Sequence, residues 1–340
     1  MTRQVKVGNV LVGGGAPVSI QSMTNTLTKD VSGTINQILD LEKAGCEIIR
    51  VSVPDEESLR ALRSIKENIS IPLVADIHYD HKLAIGAAGI ADKIRINPGN
   101  IGGADKVKEV IMAAKENGIP IRIGVNLGSI EKEFEEKYGL SAKAMVESVM
   151  KHIRFFESLD FFDIVISLKA SDVMKTIEAY NMISTLVDYP LHVGITEAGT
   201  EFSGGIKSAV GIGALLASGI GDTIRVSLSA DPVKEIYIGK EILKSLGLRQ
   251  FGVSVTACPT CARANFDVAA VAKEIEDRVR DNKKPIKIAV MGCSVNGPGE
   301  AKEADIGVVG GQECLFYVDG KVVGKVSKDD IVDKVMELLG

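Results

Sequence analysis

From residue 17 to about 247 the chain repeats one pattern. A short β-branched, apolar run is followed by a loop, then by a longer stretch with helical apolar spacing. The runs predict strands over residues 17–23, 48–53, 73–78, 93–97, 121–126, 164–169, 191–196 and 223–229. Helical stretches between them include 57–68, 104–117, 142–159 and 172–187, and Gly45, Gly118 and Gly219 stand where helices end. Eight such units in roughly 230 residues predict a closed (β/α)8 TIM barrel. Neither G-x-G-x-x-G nor G-x-x-x-x-G-K-[ST] follows a strand, which argues against an open nucleotide-binding sheet. Gly13-Gly14-Gly15 precedes the first barrel strand and reads as a turn.

After Gly247 the rhythm changes. Residues 253–255, 286–291 and 306–310 predict strands, and 266–280 and 328–339 predict helices. Residues 281–285 read as a turn, and Asp319-Gly320 as the turn of a hairpin. The expected organisation is a substrate-binding barrel over 1–247 and a small α+β domain over 248–340.

Polar residues recur near the C-terminal ends of the barrel strands. Side chains two apart on a strand share a face. On this count Arg50 pairs with Ser52, Asp76 with His78, Arg95 with Asn97, Arg122 with Asn126, and Ser167 with Lys169. Thr196 ends the seventh strand with Glu197 just beyond, and Arg225, Ser227 and Ser229 share a face of the eighth. Barrel enzymes keep their active sites at this end. Four arginines, a lysine and a histidine would converge there, and burying uncompensated cations is costly. Asp76 and Glu197 are too few to neutralise them, so a polyanionic ligand is expected, and the number of cations favours a diphosphate. His81 and His152 are expected at the surface of helices, and His192, near a strand start, as structural.

The chain has 340 residues, 45% hydrophobic and 25% charged, with net charge −5. That charge argues against a nucleic-acid partner. The longest apolar stretch, 209–220, is interrupted by glycines and too short for a bilayer, and the N-terminus lacks a signal-peptide core. No membrane association and a cytoplasmic location are expected. Five cysteines in such a chain read as metal or redox chemistry before disulfides. Cys258, Cys261, Cys293 and Glu300 form C-x2-C-x31-C-x6-E. Three thiolates without a fourth suit an iron–sulfur cluster with one incompletely held iron. A structural zinc site is the alternative, although no histidine lies in this domain. Gly297-Pro298-Gly299 reads as a tight turn bringing Glu300 back towards a metal. Cys46 is expected in the core, and Cys314 in the core or at the edge of the site.

Several stretches are distinctive together. They are Gln21-Ser22-Met23-Thr24-Asn25-Thr26, Arg50-Val51-Ser52-Val53-Pro54, Ala75-Asp76-Ile77-His78, Arg95-Ile96-Asn97-Pro98-Gly99-Asn100, Thr196-Glu197-Ala198-Gly199, and both cysteine segments. Over essentially its whole length the chain resembles the 4-hydroxy-3-methylbut-2-enyl diphosphate synthases, in their two-domain bacterial form. The resemblance implies a [4Fe–4S] cluster on Cys258, Cys261, Cys293 and Glu300, with an exchangeable site at its unique iron. It implies the substrate 2-C-methyl-D-erythritol 2,4-cyclodiphosphate and its reductive ring opening and dehydration, in the methylerythritol phosphate route to isoprenoids. Substrate contacts carry over onto Arg50, His78, Arg95, Arg122, Asn126, Lys169 and Ser227, and catalytic acids onto Asp76, Glu197 and Glu300. Ferredoxin or flavodoxin is implied as electron donor, and a head-to-tail homodimer as the assembly. The residues alone leave two other classes open. One is a zinc-stabilised sugar-phosphate isomerase or aldolase with Lys169 forming a Schiff base. The other is a non-catalytic iron–sulfur sensor or carrier.

Overall fold

The computed structural model describes residues 1–280 and 282–340, so Asp281, in the expected turn 281–285, lies outside the described residues. The chain divides into two compact units, Met1–Arg249 and Gln250–Gly340.

The first unit opens with an antiparallel hairpin that the apolar pattern did not predict, β1 (Val5–Val7) and β2 (Val10–Val12). Its strands are only three residues long, too short for an alternation to stand out. Val7 and Val12 pack on Ile48 and Val74, so the hairpin plugs the N-terminal end of the barrel. Gly13, Gly14 and Gly15 all take positive φ in the turn that follows.

The barrel strands are β3 (Ser19–Met23), β4 (Ile48–Ser52), β5 (Leu73–Asp76), β6 (Lys93–Ile96), β7 (Ile121–Asn126), β8 (Ile164–Lys169), β9 (His192–Val193) and β10 (Thr223–Ile224). They run parallel in the order β8-β7-β6-β5-β4-β3-β10-β9, and a bridge between Ile166 and Leu191 closes the ring. The last two strands are shorter than expected. Past Val193 the backbone of Gly194 lies so close to the Arg225 carbonyl that a Cβ would sit 2.4 Å from it, and regular pairing gives way to loops. The surrounding helices are α1 (Val31–Ala44), α2 (Glu56–Glu67), α3 (His81–Ala88), α4 (Pro98–Ile101), α5 (Ala104–Asn117), α6 (Lys132–Tyr138), α7 (Ala142–Glu157), α8 (Val173–Ser184), α9 (Glu201–Ala217) and α10 (Pro232–Ser245). Aspartates or serines cap several of them, as Asp30, Asp55, Asp172 and Ser141 do by accepting from N–H groups of the first turn.

Strand pairing fixes which residues face the axis. Arg50 is opposite Val74, Asp76 opposite Arg95, Arg95 opposite Arg122, Asn126 opposite Lys169, and Thr223 opposite both His192 and Ser19. Alternate strands of a tilted barrel supply successive layers of four. From the plugged end these are Ile48, Lys93, Val165 and Thr223; then Gln21, Val74, Arg122 and His192; then Arg50, Arg95, Ser167 and Arg225; then Met23, Asp76, Gly124 and Gly194; then Ser52, Asn97, Lys169 and Ser227. A barrel interior is ordinarily packed with branched apolar residues. This one is mostly polar, and two of its positions are glycine.

The second unit is a five-stranded sheet in the order β11-β12-β13-β14-β15: Ser254–Ala257, Lys287–Met291, Ile306–Val309, Cys314–Val318 and Lys321–Val326. The first three strands are parallel and the last two antiparallel, joined at Asp319 and Gly320, both at positive φ. Helices α11 (Val268–Val279) and α13 (Ile331–Leu339) pack Val268, Ile275, Ile331 and Val335 on Ile288, Val290, Val308 and Phe316. On the other face, α12 (Gly297–Glu303) packs Ala301 on Ala289, Met291 and Val309.

Candidate functional site

The mouth of the barrel is built around Asp76, which is 2% exposed. Its carboxylate accepts from Arg95 Nη1 at 3.0 Å and lies 3.6 Å from Arg50 Nε and 3.5 Å from His78 Nε2. Burial alone would raise its pKa, but Arg50, Arg95 and His78 outweigh that and hold it well below the usual carboxylate range. Arg50 also rests its guanidinium on the Met23 sulfur, at 2.8 Å from Nη2.

Arg122 and Lys169 are buried with Arg50 and Arg95. Burial, and then the neighbouring cations, depress the pKa of Lys169 and of Arg122 well below their ordinary values and bring Arg50 to about 9. The two glycines explain how so many long side chains fit. A Cβ at Gly124 would lie 2.6 Å from Arg95 Nε, and one at Gly194 would lie 2.8 Å from Lys169 Nζ. Arg95 rises and Lys169 descends into the space their missing side chains leave. Asp76 alone cannot neutralise these cations.

Above this level, a cavity of about 440 Å³ is lined by the loops after β7, β8 and β9, including Asn126, Ser129, Ala170, Thr196 and Glu197. Glu197 is exposed and takes φ 51°. A non-glycine residue there is strained, and such strain collects at functional sites. Ser227 is half-buried at the same level. A depression of about 460 Å³ lined by Met150, Arg154, Glu157 and Tyr189 opens at the opposite end, where barrel enzymes hold no chemistry.

Sequence reasoning passed over several residues of this interior. Glu235 on α10, 3% exposed, stands 3.4 Å from Arg225 Nη2, accepts from Ser22 Oγ and takes the Leu228 N–H. Locally, a glutamate in a first helical turn carries only ordinary helix chemistry, so nothing in the sequence marks it. Lys93 and Gln21 share the inward face with Arg95 and Met23, and strict alternation would have found them. His152 corrects the expectation of a surface residue. It is 8% exposed, with Nε2 2.7 Å from Glu131 Oε1. Glu131 also accepts from Ser148 Oγ, and although burial opposes it, these partners hold its pKa at about 2. His81 is half-buried, between Asp80 and Glu109.

In the second unit, Cys258 follows β11 and Cys293 follows β12, at the same end of two adjacent parallel strands. The Gly292 N–H donates to Cys258 Sγ at 3.2 Å. Asn265 binds the Gly292 carbonyl through both its backbone N–H and its side-chain amide, tying the loop after Cys261 to the one bearing Cys293. Gly297-Pro298-Gly299 is not the expected tight turn. Proline suits a first helical turn, and these residues open α12, with Glu300 exposed on that turn. Among the described residues, no three histidine, cysteine, aspartate or glutamate side chains converge closely enough to hold a metal ion. The donor chemistry nevertheless suits a thiolate-held cluster: exposed or half-buried free cysteines, a backbone N–H already directed at one sulfur, and a carboxylate, Glu300, on the first turn of α12. Cys46 and Cys314 are buried, and burial raises both pKa values, that of Cys46 to about 12.

Fold and site together define a (β/α)8 barrel with a mouth lined by buried cations, carried on one chain with a small cysteine-bearing α+β domain. The GcpE TIM-barrel domain matches residues 2–240, and the GcpE protein C-terminal domain matches residues 254–340. A protein of Caldanaerobacter subterraneus named 4-hydroxy-3-methylbut-2-en-1-yl diphosphate synthase (flavodoxin) is 56% identical over 99% of this chain and 96% of its own length. A protein of the same name from Geobacillus thermodenitrificans is 57% identical over 98% of this chain and 90% of its own. The chain therefore belongs to the GcpE family. Among solved structures, Yersinia pestis dihydropteroate synthase (TM-score 0.52, 12% identity) covers 73% of this chain and 98% of its own. The type I 3-dehydroquinate dehydratase of Clostridium difficile (TM-score 0.51, 17% identity) likewise covers 73% and 98%. These likenesses concern the barrel fold alone.

Proposed function

We propose that this protein reduces 2-C-methyl-D-erythritol 2,4-cyclodiphosphate to 4-hydroxy-3-methylbut-2-enyl diphosphate. The conversion consumes two electrons and two protons, opens the ring at a C–O bond to phosphate, and releases one water. The observation that carries this reading is the cluster of Arg50, Arg95, Arg122 and Lys169 around one buried acid, in a chain whose close relatives bear the synthase name.

In this reading Arg50, Arg95, Arg122 and Lys169 receive the diphosphate, and Asp76 keeps Arg50 and Arg95 in place until it arrives. His78, Asn126 and Ser227 supply further polar contacts at the rim. As the C–O bond breaks, charge grows on a phosphate oxygen already surrounded by fixed cations, which stabilises that charge without reorganisation. Glu197, at the rim and on strained backbone, delivers or accepts a proton at the reacting carbons. Cys258, Cys261 and Cys293, with Glu300 on the remaining iron, would hold a [4Fe–4S] cluster, which when bound supplies electrons one at a time. A flavodoxin or ferredoxin in the cytoplasm is the donor. A homodimer is supported by Phe202, Ile206 and Val210, which form an exposed apolar stripe along α9. No helix among the described residues is long and apolar enough to cross a membrane.

The test is anaerobic turnover of the cyclic diphosphate by cluster-reconstituted protein with reduced flavodoxin. Product should form, and Glu300→Ala should lower its rate at least about a hundredfold while the barrel stays folded. Near-normal turnover by that variant would remove Glu300 from the reaction, and no product from the intact protein would overturn the assignment.

A further inference from the structure

Beneath the mouth, the two deepest polar layers of the barrel hold further cations and donors, of which the proposed reaction uses only Arg122. Lys93 and His192 are wholly buried, and no protein group bonds Lys93 Nζ or either His192 ring nitrogen. The same holds for both polar atoms of Gln21, for Thr223 Oγ1, and for Nε and Nη1 of Arg122. Strand register puts these five side chains on adjoining levels of one interior, and His192 and Thr223 are directly paired across β9 and β10. Among the described residues, no carboxylate faces the axis on these levels. Asp76 lies two levels above Arg122 and is committed to Arg50 and Arg95, and Glu235 is committed to Arg225 and Ser22. Below, the β1–β2 hairpin seals the space with Val7 and Val12.

Buried polar atoms in native proteins are satisfied by protein, water or an ion. Here the unmet groups are mainly donors, and two of the residues are cations with no counter-charge at their level. Water would satisfy the donors but leave the charge uncompensated, at high cost in so enclosed a place. We infer that the barrel floor holds a small monovalent anion of the halide class, bound by Lys93 and Arg122 with donors from His192, Gln21 and Thr223. This site lies on the two levels beneath the layer of Arg50, Arg95, Ser167 and Arg225, and Arg122 borders both it and the diphosphate. Burial and the neighbouring Arg122 and Arg50 push the Lys93 pKa well down, and an anion beside it would reverse that pressure and keep the ammonium charged.

The experiment uses the full chain. Crystals grown in bromide should show an anomalous peak within hydrogen-bond distance of Lys93 Nζ. In solution, the barrel's unfolding temperature should rise by at least about 3 °C when gluconate, too large to enter, is exchanged for chloride at constant ionic strength. Lys93→Met, close in shape and uncharged, should lose that chloride dependence. Ordered water without an anomalous peak would overturn the proposal, as would a bromide peak with no chloride dependence in solution. So would a chloride effect that survives in Lys93→Met.

Discussion

Replacing Asp76 by asparagine keeps the shape of the mouth and removes the buried carboxylate that pairs with Arg50 and Arg95. Arg50 and Arg95 then face each other, and Arg122 and Lys169, without the carboxylate that pairs with both. Breaking a buried pair by neutralising one partner costs about 3–5 kcal/mol. At about 2–4 °C per kcal/mol for a domain of this size, the barrel's Tm should fall by roughly 6–20 °C. The pH dependence gives an independent check. The Asp76 pKa is depressed in the folded state, so its contribution is complete above the unfolded value near 3.8 and is lost as pH falls towards the folded one. The Tm gap between wild type and Asp76→Asn should therefore be level above about pH 5 and narrow below about pH 4. Circular dichroism melts over that range, without substrate, measure it. A gap under about 2 °C at neutral pH, or one that stays constant into acid, would refute the claim that Asp76 holds the arginines in place.

Three further outcomes follow from the geometry. Gly124→Ala puts a methyl group 2.6 Å from Arg95 Nε, which must then shift. It should lower kcat/KM for the cyclic diphosphate about tenfold or more, mainly through KM, with a far smaller change in Tm. Glu131→Gln should weaken the loop held by His152 and Ser148. Because the Glu131 pKa is depressed to about 2, that loss should be full above about pH 4.5 and vanish towards pH 2, read from Tm against pH. Arg95→Lys keeps the charge but loses the planar fork, and should still raise KM severalfold in initial-rate assays.

The barrel was legible because its units carry their own signals: a short β-branched run, in most a capping aspartate or serine, and a helical stretch. The strand-end cations were legible for the same reason, since alternation on a strand fixes which side chains share a face. Strands β9 and β10 were overextended because the residues after Val193 and Ile224 keep strand-like composition, whereas Gly194 packs directly on the Arg225 carbonyl and ends the regular ladder. The segment 297–299 misled in the other direction. Gly-Pro-Gly is turn chemistry in isolation, yet α12 packs Ala301 into an apolar face, and burial decides the outcome. His152 was placed at the surface because its helix is amphipathic, and only the fold brings Glu131 from a neighbouring loop to its ring. Glu235 and Lys93 were overlooked for a related reason. A charged residue on a helix or at a strand start is ordinarily solvated, and its burial depends on long-range packing that local pattern does not carry.

The most direct test of the central claim is electron paramagnetic resonance of anaerobically purified, dithionite-reduced protein, recorded with and without the cyclic diphosphate. The account predicts a [4Fe–4S]⁺ signal that changes when the substrate is added, and a change that is lost in Glu300→Ala. A cluster signal indifferent to substrate would contradict it in favour of electron carriage or sensing, and zinc with no cluster signal after reconstitution would exclude the reductive chemistry.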